Sequence, residues 1–260
     1  MPFLQPGGKP GFLLAPIIPR RPKRPTPSLR PYNDGMCGRF TLRVPSHKLI
    51  EQFGLEMARP DEPWDAIVPR YNIAPSQTIL AVRPSANGRE LVSMKWGFVP
   101  AWATHAKGAM INARSESAAS KPTFRDAFRK RRCLIPADGF YEWKKSGRRK
   151  EPYHIRLTDG QLFAFVGLWE TWHGQDTCTI LTTTANQLVA SLHDRMPVIL
   201  DPEDYSRWLD SSTQAEELQT LLKPYSEEKL KTTAVDLRVN SAAIDDAQCL
   251  APPRSEGTLF

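Results

Sequence analysis

The chain has 260 residues, 24 of them proline and 4 cysteine, with 40% hydrophobic residues and a formal net charge of +7. Four cysteines with no C-x-x-C pair and no finger-spaced histidine argue against a structural zinc site or a disulfide framework, and fit a reducing compartment. No run of about 18 apolar residues marks a membrane span, and no glycine-rich phosphate loop joins strand to helix, which disfavours a doubly wound nucleotide fold.

Residues 1–35 hold nine prolines, six Lys or Arg and one acid, Asp34. Proline at that density forbids helix and ladder, and the few apolar residues do not offset the entropy of ordering. Residues 1–36 are therefore expected to be a disordered leader or a mis-assigned start, with Met36 the true start. An apolar stretch at 12–18 is broken by Pro16 and followed by Pro19, so a secretory signal is rejected. The basic run at 19–25 has a second reading, as an arm on nucleic acid or a nuclear import signal. Residues 37–260 carry only +2, so the basic character of the chain lies mostly in the leader.

Beyond the leader one domain is expected over 37–245, with 246–260 as a tail. Strands are expected at 39–43, 78–83, 91–96, 153–157, 162–169, 177–184, 197–200 and 232–236, from β-branched and aromatic content between turn signals. Ser46 is placed to cap a short helix carrying Leu49, Ile50 and Phe53. A second helix runs from Asp201 and Pro202 through Trp208, and a third covers 213–222 with Leu218, Leu221 and Leu222 behind Glu216 and Glu217. Cys133 and Cys178 sit in apolar runs and read as buried core thiols.

Cys37 directly follows Met36. In a chain that starts at Met36 and loses it, Cys37 becomes an N-terminal 1,2-aminothiol, whose amine condenses with an aldehyde and whose sulfur closes a thiazolidine ring. Between the expected elements lie segments 69–75, 95–102, 111–116, 136–143 and 193–198, which mix aromatic rings, arginines and single acid or base groups. That mixture suits a single-stranded nucleic-acid groove, with rings for stacking and guanidinium forks for phosphate. The alternative is that Trp96, Trp102, Trp143 and Trp169 fill the core.

These segments, headed by Cys37-Gly38-Arg39-Phe40 and in this order, resemble the SRAP family, the SOS response-associated peptidase domain. The resemblance spans 37 to about 240. It implies an α+β fold, a single domain around a twisted, barrel-like, mostly antiparallel sheet with short flanking helices. It also implies abasic site processing in DNA repair: binding to single-stranded DNA containing abasic sites, replication-fork junctions included, and a covalent thiazolidine crosslink through Cys37. Autoproteolytic thiol peptidase activity and lyase activity are implied beside it. The catalytic set implied is Cys37, Glu142, His193 and Asn112: nucleophile, proton carrier at the nitrogen, acid at the sugar oxygen, and positioning amide. Arg39 and Arg114 are implied to bind phosphates, and Asn72, Pro75 and Trp96 to line the DNA groove. No metal or cofactor is called for, and a monomer off the membrane is expected, on the nucleoid in a bacterium or in the nucleus of a eukaryote. His193 keeps a second reading as a structural ring at a helix end, and Arg114 with Glu116 as a surface ion pair. Two other functions fit the same residues: a cysteine peptidase acting on other proteins, and a non-covalent reader of modified or single-stranded DNA.

Overall fold

The computed structural model describes residues 37–55, 67–147 and 149–254, so the expectation for 1–36 lies outside the described residues. The first strands are β1 (Phe40–Leu42), β2 (Arg70–Ile73), β3 (Thr78–Ser85), β4 (Gly88–Trp96), β5 (Asn112–Arg114) and β6 (Arg132–Ala137). They continue as β7 (Gly139–Ser146), β8 (Arg149–Leu157), β9 (Phe163–Trp172), β10 (Gln175–Thr184), β11 (Arg195–Pro197), β12 (Ile199–Leu200) and β13 (Leu230–Ala234). The α-helices are short: α1 (Ser46–Phe53), α2 (Ser115–Ala118), α3 (Arg125–Lys130), α4 (Gln187–Ala190), α5 (Tyr205–Leu209) and α6 (Ala215–Leu221).

Two sheets result. The first is antiparallel, in the order β13-β8-β7-β1-β2. In the second, β3 pairs with β4, β4 with β10, β10 with β9, β9 with β6 and β6 with β3, which returns to the starting strand and closes a five-stranded barrel. Closure removes free edges from those strands. Strands β5 and β11 add to β10, and β12 adds to β9. The fold is thus the expected single α+β domain built on a barrel-like sheet.

Aromatic rings join the sheets. Phe40 of β1 meets Trp96 and Phe165 edge-on at centroid distances of 5.3 and 5.7 Å, and Phe140 of β7 meets Phe165 at 6.0 Å. All four rings are fully buried, each contributing about 2–3 kcal/mol by leaving water. Cys133 and Cys178 lie fully buried in the barrel strands, as expected of core thiols.

Four corrections to the expected elements follow, two of them with a common cause. Segments 70–73, 112–114, 136–137 and 139–143 were placed between elements but are parts of strands β2, β5, β6 and β7. All six residues of β6 and the first four of β7 are buried, so neither shows the alternation that marks a half-exposed strand. Gly139 reads as a breaker, yet a Cβ there would lie 2.1 Å from His154 Nε2, and the close approach of that ring is what requires glycine.

Ser46 is the first residue of α1 rather than its cap; Pro45 takes the N-cap position without a side-chain bond. The helix stops where Gly54 adopts φ 56° and the Leu55 N–H reaches back to the Ile50 carbonyl at 3.1 Å. Arg132, on β6 and almost fully buried, donates to the carbonyls of Phe128, Arg129, Trp208 and Asp210, which end α3 and α5. One guanidinium thus occupies the unsatisfied C-terminal carbonyls of two helices.

Residues 235–251 wrap the outer face of the first sheet, where Val235, Val239 and Cys249 pack on Tyr141. Residues 246–251, set apart above as tail, belong to this strap: Cys249 is fully buried and the Asp236 N–H donates to the Ala251 carbonyl at 2.8 Å.

Candidate active site at the seam of sheet and barrel

Strand β1 pairs with β7 through Phe40 and Phe140, and the Tyr141 N–H donates to the Arg39 carbonyl at 3.0 Å. Continuing that register sets Gly38 opposite Glu142, and Cys37, one residue before it, reaches the Glu142 side chain. Both are buried, at 4% and 1% exposure. The Cys37 backbone nitrogen donates to Glu142 Oε1 at 3.1 Å and its thiol to the same oxygen at 2.5 Å. Burial raises Glu142 to about 7, against the lowering effect of the two bonds from Cys37; the nearby Asp194 carboxylate adds to the rise. Burial, followed by the charge of Glu142, pushes the thiol well above its usual range, so sulfur holds its proton at rest. Near neutrality the carboxyl exchanges its proton easily.

Asn112, at the start of β5, is buried and donates from Nδ2 to the Cys37 carbonyl at 3.3 Å. Behind it, Trp96 donates its indole N–H to the Ile111 carbonyl at 2.8 Å. Cys37, Glu142 and Asn112, 105 residues apart at the extreme, are thereby brought into one hydrogen-bonded set.

His193 lies on the turn between α4 and β11. Its backbone N–H donates to the Val189 carbonyl at 2.9 Å and ends the helix. Its ring Nδ1 lies 3.1 Å from the Arg195 backbone nitrogen, which donates to it, and 3.0 Å from Asp194 Oδ1. The helix-end reading of this histidine therefore holds in geometry. Its turn adjoins the site, because Asp194 acts on Glu142.

The groove residues divide. Arg114 is exposed and Pro75 half-buried, both within reach of a ligand. Trp96 and Asn72 are fully buried and present no face to a base. Trp96 is core, as the alternative reading had it. Asn72 holds the strap, donating to the carbonyls of Val239, Ser241 and Ile244 at 3.2, 2.9 and 2.7 Å. Arg39 is engaged in the same clamp, donating to Asn72 Oδ1 at 2.9 Å and the Val239 carbonyl at 2.8 Å.

Several contributors escaped the sequence. Glu116 pairs with Arg195 through bonds of 2.6 and 2.9 Å, with the charge of Arg114 also acting on it, which ties α2 behind Asn112 to the His193 turn. Asp245 takes the Tyr71 and Asn72 N–H groups at 2.5 and 2.8 Å and pairs with Arg70, so a carboxylate closes the outer edge of β2. Neither pairing leaves a local pattern, because the partners are 79 and 175 residues apart. Among the described residues, no cluster of three or more His, Cys, Asp or Glu side chains is arranged to hold a metal.

Fold and site together define a single-domain α+β protein with a buried thiol–carboxyl centre where a sheet leans on a closed barrel. The chain belongs to the SOS response associated peptidase (SRAP) family, whose model matches residues 36–242. It is similar to the abasic site processing protein YoqW of Bacillus subtilis (strain 168), 42% identical over 215 residues that cover 79% of this chain and 95% of that protein. The abasic site processing protein YedK of Escherichia coli (strain K12) is 32% identical over 187 residues, 70% of this chain and 83% of that one. The abasic site processing protein HMCES of Gallus gallus is 30% identical over 224 residues, 71% of this chain and 66% of that one. Among solved structures, a Bacteroides thetaiotaomicron protein superposes with a TM-score of 0.75 at 25% identity, covering 83% of this chain and 99% of that one.

Proposed function

We propose that this chain processes abasic sites in single-stranded DNA and, with Cys37 as its N-terminal residue, closes a covalent thiazolidine on the opened sugar. One observation carries the reading: the nitrogen and the sulfur of Cys37 address the same carboxyl oxygen of Glu142, at 3.1 and 2.5 Å. A simple thiol site needs only the sulfur placed. An aminothiol needs both, and one proton carrier within reach of each.

The chemistry balances without a cofactor. The α-amine adds to the sugar aldehyde, and Glu142 carries one proton from nitrogen to the aldehyde oxygen to give a carbinolamine. The carboxyl then takes the second nitrogen proton and delivers it to the departing hydroxyl, so that water leaves an imine. The Cys37 thiol then adds to the imine carbon while its proton passes through Glu142 to the nitrogen, so that aldehyde and aminothiol become thiazolidine and water. The Asn112 amide fixes the Cys37 carbonyl, and with it the rotation of the attacking nitrogen. His193 serves as the acid that donates to the ring oxygen as the sugar opens.

In a longer chain the same nitrogen is the amide of the 36/37 bond. A protonated Glu142 beside it can protonate that nitrogen as it leaves, which supports self-processing as a companion activity. A peptidase acting on other proteins is less well supported, since a thiol raised by burial is not an activated thiolate.

The test compares a chain beginning at Cys37 with the full chain verified by mass to retain Met1, each mixed with single-stranded DNA holding one abasic site. The trimmed chain forms a denaturant-stable adduct and the full one does not, because a peptide nitrogen is not nucleophilic whereas a terminal amine, with a pKa near 7.7–8.0, is partly neutral at physiological pH. Equal rates from both would overturn the aminothiol mechanism.

A further inference from the structure

Strand β7 does not end at the site. It continues for four residues beyond Glu142 and returns as β8, projecting by about 13 Å. Five of the seven residues 144–150 are Lys or Arg and none is acidic, while the remainder of 37–260 holds more acids, 27, than bases, 24. The positive charge of the body is therefore concentrated on one hairpin, and that hairpin is rooted at the candidate catalytic carboxyl.

Two features separate this run from an ordinary solvated face. In the ladder Lys145 stands directly opposite Lys150, a like-charge pair that weakens the hairpin. Among the described residues Lys144, Lys145 and Lys150 are exposed and join no ion pair. Lys144 stands opposite Glu151, so the uncompensated pair is Lys145 and Lys150, which a polyanion lying along the hairpin would relieve. Strand alternation also puts Lys144, and Arg149 from the opposite strand, on the Glu142 face of the ladder, in line with the reacting centre.

We propose that Lys144, Lys145, Arg149 and Lys150 form an arm that gathers the phosphates of the strand on one side of the abasic site, reading charge and not sequence. The proposal rests on the DNA reading above and adds a second contact region to it. Long lysine and arginine side chains along the hairpin would meet several successive phosphates once the lesion is seated at Cys37, and release of their counterions would make the arm's contribution salt-dependent.

The test uses the trimmed chain, its variant with Lys144→Ala, Lys145→Ala, Arg149→Ala and Lys150→Ala, and abasic oligonucleotides of about 5 and about 15 nucleotides. On the longer strand the variant should bind more weakly, with a plot of log affinity against log salt shallower by about 2–3. On the shorter strand affinity changes little, and adduct yield at saturation equals that of the parent. Lys145→Glu serves as the second variant: it places opposite charges across the ladder, so it should raise the melting temperature while lowering affinity for the longer strand. Unchanged affinity and salt slope on the longer strand would overturn the arm. A parent chain that gives no adduct on either strand would overturn the aminothiol reading instead, and the length and salt dependence would still decide the arm.

Discussion

Strands β1 and β7 and their neighbour β8 bury two polar clusters a few residues apart, and the two are finished differently. In one, Asp138 accepts from the Thr41 hydroxyl at 2.5 Å and from the Arg43 backbone and side chain at 3.0 and 2.8 Å. His154 lies 3.2 Å from the same hydroxyl, with its ring 5.0 Å from that of Tyr141. Burial holds His154 down at about 3, with Arg43 and Arg156 adding to the effect, so the ring stays neutral. In the other, Glu142 has the neutral donors of Cys37 and the Trp143 backbone beside it and, among the described residues, no cation partner. A carboxylate buried against a guanidinium, with two further donors, is a structural tie. One buried without a cation keeps a mobile proton near neutrality, which is what acid–base work requires.

The sharpest way to break this comparison is to remove one centre at a time. Cys37→Ala in the trimmed chain should abolish the thiazolidine completely while DNA affinity persists; Asp138→Ala should leave the adduct rate of the folded protein near that of the parent but lower stability by about 2–4 kcal/mol, with Thr41 and Arg43 deprived of their acceptor. Denaturant melts and single-turnover crosslinking of both variants read the two effects separately. Loss of crosslinking in folded Asp138→Ala would erase the distinction.

Next in size is Glu142→Gln, which keeps shape and hydrogen bonding but carries no exchangeable proton. Adduct formation should slow by about 10²- to 10⁴-fold with DNA affinity kept. A parental rate would remove Glu142 from the proton transfers.

The same two clusters set opposite pH limits on stability. The folded pKa of Glu142, about 7, lies above its ordinary 4.5, so its contribution is whole below pH 4.5 and is lost as pH rises toward 7. His154 goes the other way: with a folded value of about 3 against 6.5, its contribution is whole above 6.5 and is lost as pH falls. Glu142→Gln should therefore outlast the parent at pH 8 by about 3 kcal/mol and converge with it at pH 4.5. His154→Gln should flatten the acid side, by about 2 kcal/mol at pH 5. Melts across that range check both, and a Glu142→Gln curve parallel to the parent's would contradict a buried, proton-bearing carboxyl.

The smallest effect belongs to the clamp outside both clusters. Arg39→Ala removes the bonds to Asn72 and the Val239 carbonyl and should cost about 1–2 kcal/mol. Faster amide exchange confined to 235–251, with the barrel strands unchanged, would identify Arg39 as the strap's anchor. Unchanged exchange there, with weaker DNA binding, would return Arg39 to the role of phosphate ligand.

Strands with β-branched and aromatic content between turn signals were legible from the sequence, as at 78–83, 91–96, 153–157 and 177–184, and they recur in β3, β4, β8 and β10, the last legible by composition alone since 177–183 are all buried. The strands that carry the site were not. Asn112 on β5 and Glu142 on β7 sit where barrel and sheet cover each other, so burial on both faces erases the period-two pattern, and Gly139 admits the His154 ring while reading as a breaker. The groove assignment failed for Trp96 and Asn72 for a related reason. Aromatic and amide residues near a site read alike from the sequence whether they face the ligand or hold its walls from behind.

What the sequence by itself determined was the family and the candidate site residues, since those follow from residue types in a fixed order: a cysteine behind a methionine, a carboxylate, an imidazole and an amide. What only the tertiary structure decided was which charges are spent and which stay mobile. Arg39 is committed to the strap, Glu116 to Arg195 and Asp138 to Arg43, while Glu142 is left without a cation. A pKa or a free guanidinium is not a property of a residue type. It is set by burial and by partners within a few ångströms, and here those partners come from strands and turns that are 79 to 200 residues apart in the chain.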